Sequence, residues 1–275
     1  MVLTPKEIIS LVTPPLFIHL AKLLQKNQYG LSGDHRDWAE AIAASTGYDS
    51  DIILELTTAA LMKVKNGDAV YERDSVLFDE IQYSWPLLAG LMWVAARYEG
   101  RLNVLDFGGS LGSTFYQNLA FLSDLPMVRW NIVEQSSHVK IGKEYFEDHN
   151  LRFYTCIEEC LTDTKPNVLL LSSVLQYLEH PDILFNQMLK LPCGYIIIDR
   201  TPYWAGPTDR LCVQTVPPSI YPGSYPSWIF SRSRFHSNIP DDWHIIVTFD
   251  NSDKLAGPVD FAYQGVIIAR NNYVS

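Results

Sequence analysis

The sequence predicts an α/β protein built on a mostly parallel sheet, with helices ahead of it. Three observations carry this. Residues 102–116, LNVLDFGGSLGSTFY, pass from an apolar run through an acid and a glycine-rich turn into a helical stretch. Short apolar runs then alternate with helical periods: RWNIV at 129–133, LRFY at 151–154, NVLLL at 167–171 and YIII at 195–198. Apolar runs of this length, separated by helices, are the pattern of strands buried on both faces. Two further runs, 243–249 and 262–269, end the series as a closing strand pair.

In chain order, Thr4-Pro5-Lys6-Glu7 has the form of a capping box, and Pro14-Pro15 stops that first helix. Leu16 to Leu24 is a second amphipathic run. Gly30 to Asp34 reads as a loop, 38–44 as a helix ended by Gly47, and 51–64 as another helix. Asn66-Gly67-Asp68 is a turn, and 71–75 is polar and opens the next helical segment. Residues 83–98 form a helix despite Pro86. No strand signal precedes residue 80, so 1–80 is expected to be a helical cap region and 81–275 the sheet domain. Helices are expected at 115–122, 139–149 and 182–191. The stretch 203–242, rich in proline and aromatics, reads as a long irregular insertion, and loops of that length are usually functional.

Composition narrows the function. The chain has 275 residues, 47% hydrophobic and 19% charged, with a net charge of −10. An acidic chain without a Lys/Arg run repels phosphate backbones, so nucleic acid is not an expected partner. Cys156, Cys160, Cys193 and Cys212 form no CxxC pair, so neither a zinc site nor a disulfide scaffold is expected. The N-terminus lacks the order of a signal peptide, and no apolar run reaches membrane-span length. A cytoplasmic protein is expected. Its oligomeric state is not legible.

The glycine turn chooses between cofactors. Counted from Gly108, a dinucleotide fingerprint would need glycine at Ser110 and Ser113, and it fails twice. A P-loop needs a lysine after Gly112, which is missing. What remains is Asp106-x-Gly108-x-x-x-Gly112, with Gly109 and Ser110 inside the turn and Ser113 or Thr114 as N-cap. Glu134 lies 22 residues past Gly112, at the end of the second strand. A carboxylate there suits the two hydroxyls of a ribose. The alternatives are a turn whose glycines serve geometry alone and a solvated acid.

This acid-x-G-x-x-x-G pattern resembles motif I of class I S-adenosylmethionine-dependent methyltransferases. VLDFGGSLGSTFYQN, YERDSVLFDE (71–80), SVLQYLEHP (173–181) and QTVPPSIYPGSYPSWIFS (214–231) resemble one bacterial family of such methyltransferases, with genes among those for surface polysaccharides. The resemblance covers most of the chain from about Gly30. It implies a Rossmann-like class I methyltransferase fold, a seven-stranded mostly parallel sheet with a closing antiparallel hairpin. It also implies S-adenosyl-L-methionine as cofactor, held by Asp106, Gly108, Gly109, Ser110, Gly112, Glu134, Ser172 and Ser173. The loop at 155–160 would lie near the adenine, with Ile157 and Glu158 as candidates.

Methyl transfer to a hydroxyl also calls for a base. Candidates are His180, Asp199, His236 and His244. His180 is alternatively a helix-start residue, Asp199 a structural acid paired with Arg200, and His244 a strand residue. Tyr177 and Gln176 line the donor pocket or, for Tyr177, pack the core. Tyr221, Tyr225 and Trp228 stack on a small-molecule or saccharide-type acceptor or fill the core beneath a cover. Arg200, and also Arg210, Arg232 and Arg234, are candidate clamps for an acidic group. The first rival function is a nicotinamide-dependent oxidoreductase, which shares the strand order and the ribose acid. The second is a non-catalytic binding module on the same fold.

Overall fold

In the computed structural model, residues 29–47 and 50–273 are described. The helices expected around Thr4–Glu7 and 16–24 lie outside them. The chain order is β1 (Gly30–His35), α1 (Trp38–Ala44), α2 (Ser50–Asn66), β2 (Tyr71–Arg73), β3 (Val76–Phe78), α3 (Trp85–Arg97), β4 (Arg101–Phe107) and α4 (Ser113–Leu122). Then come β5 (Met127–Val133), α5 (Ser136–Tyr145), β6 (Leu151–Tyr154), α6 (Ile157–Asp163), β7 (Val168–Ser172), α7 (Pro181–Met188), β8 (Tyr195–Trp204), β9 (Arg210–Val216), β10 (Gly223–Ser231), α8 (Arg232–Ser237), β11 (Trp243–Asp250) and β12 (Phe261–Arg270).

Seven strands form the expected sheet, in the order β6-β5-β4-β7-β8-β12-β11. The first five are parallel, and β12 runs antiparallel to both β8 and β11. This is a doubly wound α/β sheet closed by an antiparallel hairpin. Its central strands are largely apolar because both faces are covered, and the buried Asn103, Asp106 and Asn131 are hydrogen-bonded within the sheet. Val104, Trp130, Val168, Leu170 and Ile197 face one core, and Leu105, Val133, Leu169, Leu171 and Ile198 face the other. The period of two along each strand produces this split. Leu170 is fully buried at the centre of β7. Leu170→Ala is expected to destabilise the fold by about 2–5 kcal/mol, read as a lower urea midpoint with an unchanged slope.

Two expectations are corrected. The stretch 203–242 is not irregular: β8 runs on to Trp204, and β9, β10 and α8 follow. β9 and β10 pair antiparallel, β1 adds to β9, and β10 joins the end of β8 through Phe230 and Ser231. Three strands thus extend the sheet to ten. Pro226 lies in β10 opposite Val213 of β9, while the pairing of β10 to β8 begins only at Phe230. A proline is tolerated where the strand has an open side.

The second correction concerns residues 30–78, where three strands occur without a sequence signal. β1 forms because β9 offers it an edge. β2 and β3 form a hairpin where a helix start was expected. Its loop residues, Asp74 (φ 52°) and Ser75 (φ 66°), are both left-handed, the geometry of the tight turn that suits twisted strands. Among the described residues, no helix is long and apolar enough to cross a membrane.

Candidate functional site

Parallel strands end together, so the turns after β4, β5, β7 and β8 meet at one edge of the sheet, where α/β proteins bind ligands. A cleft of about 1030 Å³ opens there. Its lining includes Asp106, Gly108, Gly109, Ser110, Glu134, Ser172 and Ser173, seven of the eight residues expected at the cofactor. Gly112 lies just behind, at the N-cap of α4 with φ 103°. Ser113 begins α4 but does not cap it; its hydroxyl donates to Glu72 Oε2 at 2.5 Å. A left-handed glycine replaces the expected serine or threonine cap.

The turn leaves little room for side chains. A Cβ on Gly109 would fall 2.4 Å from Asp106 Oδ2. Ser110 holds φ 52°, a left-handed position that glycine takes without strain. Asp106 is buried and accepts the indole N–H of Trp130 at 2.8 Å. Burial pushes its pKa up to about 7, against the pull of Trp130 and with a further rise from Glu134. Glu134 follows β5, lines the cleft and accepts the Gln135 N–H at 2.7 Å. His138, which carried no sequence signal, lies on the same side.

The opposite half of the cleft is walled by the added strands and the N-terminal elements. Tyr177, Gln214, Tyr221, Tyr225 and Tyr263 line it, with Trp38 and Ile42 from α1, Ile53 and Thr57 from α2, and Glu72, Arg73 and Asp74 from the β2–β3 hairpin. Tyr177 donates to Gln214 Oε1 at 3.1 Å, and the hydroxyls of Tyr221 and Tyr225 stand 3.1 Å apart. Trp228 is not in this lining. Its indole N–H donates to Leu178 O at 2.9 Å, and its ring stacks on Trp38 at 6.3 Å. Trp38 is the tryptophan at the cleft.

Arg200 lines the cleft but is not an open clamp. It donates from Nε to Asp253 at 3.1 Å and from Nη2 to Asp74 at 3.2 Å, while Arg73 pairs with Asp253 at 3.3 Å. Burial alone would lower the Arg200 pKa, but Asp74, Asp253 and Asp199 outweigh it and raise it. Arg210, Arg232 and Arg234 bind Asp34, Gln264 and Asp209 and do not line the cleft.

None of the four base candidates lines the cleft, whereas Tyr177 does. His180 turns outward: its side chain is 67% exposed, at the start of α7 beside Glu179. His236 lies on α8, and His244 on β11 contacts Asn271, so neither lines the cleft. Asp199 is buried behind it, on a smaller cavity of about 230 Å³. It accepts from Asn251 at 2.8 Å, Ser84 at 3.3 Å and Ser172 at 3.5 Å, and burial pushes its pKa up to about 6. Its ion-pair partner is not Arg200, which bonds the other two aspartates. Gln176 is fully buried beneath the cleft, donating to Ser173 Oγ at 3.0 Å and Arg200 O at 3.3 Å. Ile157 and Glu158 open α6 and do not line the cleft.

No protein-family model matches the chain, and no curated protein matches it. Among solved structures, the N-terminal domain of EvdMO1, crystallised in the presence of SAH and D-fucose, matches at a TM-score of 0.48 and 14% identity, over 82% of this chain and 97% of that one. The cyclase SpnF matches at 0.47 and 14%, over 88% and 98%. Magnesium protoporphyrin IX methyltransferase from Synechocystis PCC 6803, with bound SAH, matches at 0.45 and 12%, over 68% and 82%.

Proposed function

We propose that the chain is an S-adenosylmethionine-dependent methyltransferase acting on a small-molecule acceptor of saccharide type. The observation that carries this reading is the meeting, at one sheet edge, of the Asp106–Gly112 turn with Glu134. The fit of the turn to the cofactor rests on its bareness. A Cβ would fall 2.5 Å from Val174 Cγ2 at Gly108 and 2.4 Å from Asp106 Oδ2 at Gly109, so glycine lets the turn close over these side chains and present its backbone to the cleft, and Glu134 stands where a ribose diol would be gripped. When bound, the cofactor supplies a sulfonium methyl group already activated for transfer. The protein's task is then alignment and exclusion of water. Ser172, Ser173 and Tyr177 all line the cleft; on this reading the two serines would border the donor and Tyr177 the acceptor.

The division into an N-terminal cap, 1–80, and a sheet domain, 81–275, belongs to this proposal. Trp38, Ile53 and the β2–β3 hairpin line the cleft and support the cap role, whereas β1 crosses the division by pairing with β9 in the sheet. The saccharide-type acceptor, transfer to oxygen, a cytoplasmic location and a role in surface polysaccharide synthesis rest on the sequence resemblance, to which the tyrosine wall adds support. Calorimetric titration with S-adenosylhomocysteine tests the cofactor assignment. Protein that is folded by circular dichroism yet gives no heat of binding would remove it. Glu134→Ala is expected to weaken that binding about tenfold to hundredfold, the scale of one or two hydrogen bonds to a charged group. Cofactor binding with no turnover on any acceptor would favour the binding module instead.

A further inference from the structure

The acceptor half of the cleft combines features that neither a phosphate site nor a plain apolar pocket requires. Tyr177 follows β7, Tyr225 lies on β10 and Tyr263 on β12, so three separate elements bring their rings to one wall. The rings of Tyr177 and Tyr225 meet edge to face, 5.4 Å apart at 81°. Gln214 fixes the hydroxyl of Tyr177. Burial raises the pKa of Tyr177 to about 12 and moves those of Tyr225 and Tyr263 in the same direction. All three are therefore neutral, electron-rich rings at working pH.

Asp74 stands beside this wall. Its charge raises the pKa of Tyr177, Tyr225 and Tyr263, while the Arg200 guanidinium it is paired with opposes it at Tyr177 and Tyr263, and Asp253 adds a further raising effect on Tyr263. One of its carboxylate oxygens, Oδ2, accepts from Arg200; the side chain is 65% exposed to the cleft and solvent. Among the described residues, five carboxyl groups line the cleft against three permanent cations, and one of the five, Asp106, keeps its proton up to about pH 7. Two of those cations, Arg73 and Arg200, are engaged by Asp253 and Asp74. The third, Lys254, is exposed. The cleft offers no open guanidinium fork for a phosphate or carboxylate.

We infer that this half of the cleft recognises a protonated amino group on the acceptor, held between the tyrosine wall and the carboxylate of Asp74. This rests on the methyltransferase reading for its neighbour, the cofactor half, and refines the acceptor to an amine-bearing one. A cation over an aromatic face gains from the ring quadrupole, and the gain grows as water is excluded. The nearby carboxylate adds charge complementarity. A phosphorylated acceptor would meet an excess of like charge.

The test uses tetramethylammonium chloride as the cationic probe and tert-butanol as an uncharged probe of similar shape. Full-length protein with carbon-13-labelled tyrosine rings is titrated with each, with S-adenosylhomocysteine present and ionic strength matched by NaCl. The cation is expected to shift the resonances of Tyr177, Tyr225 and Tyr263 saturably, at least fivefold more tightly than tert-butanol. Asp74→Asn, a residue that tolerates the left-handed φ of this position, is expected to weaken the cation at least threefold. Equal response to both probes, no saturable response, or a cation affinity unchanged in Asp74→Asn would overturn the inference. If Asp74→Asn does not fold, the comparison of probes on the unaltered protein decides alone. Calorimetry with S-adenosylhomocysteine separates the two readings. Nucleoside binding without cation binding ends this inference only, and cation binding without nucleoside binding ends the methyltransferase reading only.

Discussion

Gly109→Ala is expected to weaken S-adenosylhomocysteine binding by at least about hundredfold, close to 3 kcal/mol. The added Cβ would lie 2.4 Å from Oδ2 and 2.5 Å from Cγ of Asp106, far inside contact distance. Asp106 cannot yield, because it is short, buried and held by the indole of Trp130. The turn must move instead, into the space where the nucleoside would sit. Overpacking of this kind also costs roughly 1–3 kcal/mol of stability. Calorimetry on protein that still melts cooperatively separates the two effects. Retained affinity in a folded Gly109→Ala protein would show that the turn is not the cradle.

The second large effect is a fall in stability as pH rises. Asp106 has an ordinary pKa of 3.8 and a folded value of about 7, because burial disfavours its charge. Below about pH 4 it is protonated in both states, and its contribution is fully present. Between pH 4 and 7 the folded chain keeps a proton that the unfolded chain releases. Stability therefore declines through this window, by up to about 4 kcal/mol in all, since one proton held against release costs about 1.36 kcal/mol for every pH step of one. Asp199, with a folded value of about 6, adds a fall of the same sign over a narrower window. Asp106→Asn carries no charge at any of these values. Its stability, read from the urea midpoint at pH 5, 6, 7 and 8, should decline roughly a third as much over that range as that of the unaltered protein, because only the fall from Asp199 between pH 5 and 6 remains. An equally steep decline would mean that Asp106 titrates as an ordinary carboxylate.

The parts legible in the sequence are those encoded locally. The runs 129–133, 151–154 and 167–171 announce strands because buried apolar residues dominate each; Arg129 and Arg152 are exposed interruptions, and Asn131 and Asn167 are buried and hydrogen-bonded. The glycine turn and Glu134 are legible for a related reason: a strand, a turn and a helix start fix their spacing. β1 was hidden because GLSGDH has only Gly30 and Leu31 buried and owes its conformation to the neighbouring edge of β9. The β2–β3 hairpin was hidden because Asp74 and Ser75 adopt left-handed conformations that glycine or asparagine would have advertised. The tyrosine-lined wall of the cleft is half legible in the sequence. Tyr221 and Tyr225 were flagged by their loop, whereas Asp74, Asp253 and Tyr263 are joined only by the fold. His180 was misplaced because position after β7 says nothing of the direction in which α7 begins.

The pairing of Arg73 and Arg200 with Asp253 has a consequence for biosynthesis. Arg73 and Asp253, 180 residues apart in sequence, are fastened at one point of the cleft. A nascent chain on the ribosome can form the glycine turn and the first parallel strands well before Asp253 has been made. The wall formed by the β2–β3 hairpin gains its fastening only after Asp253 has been made.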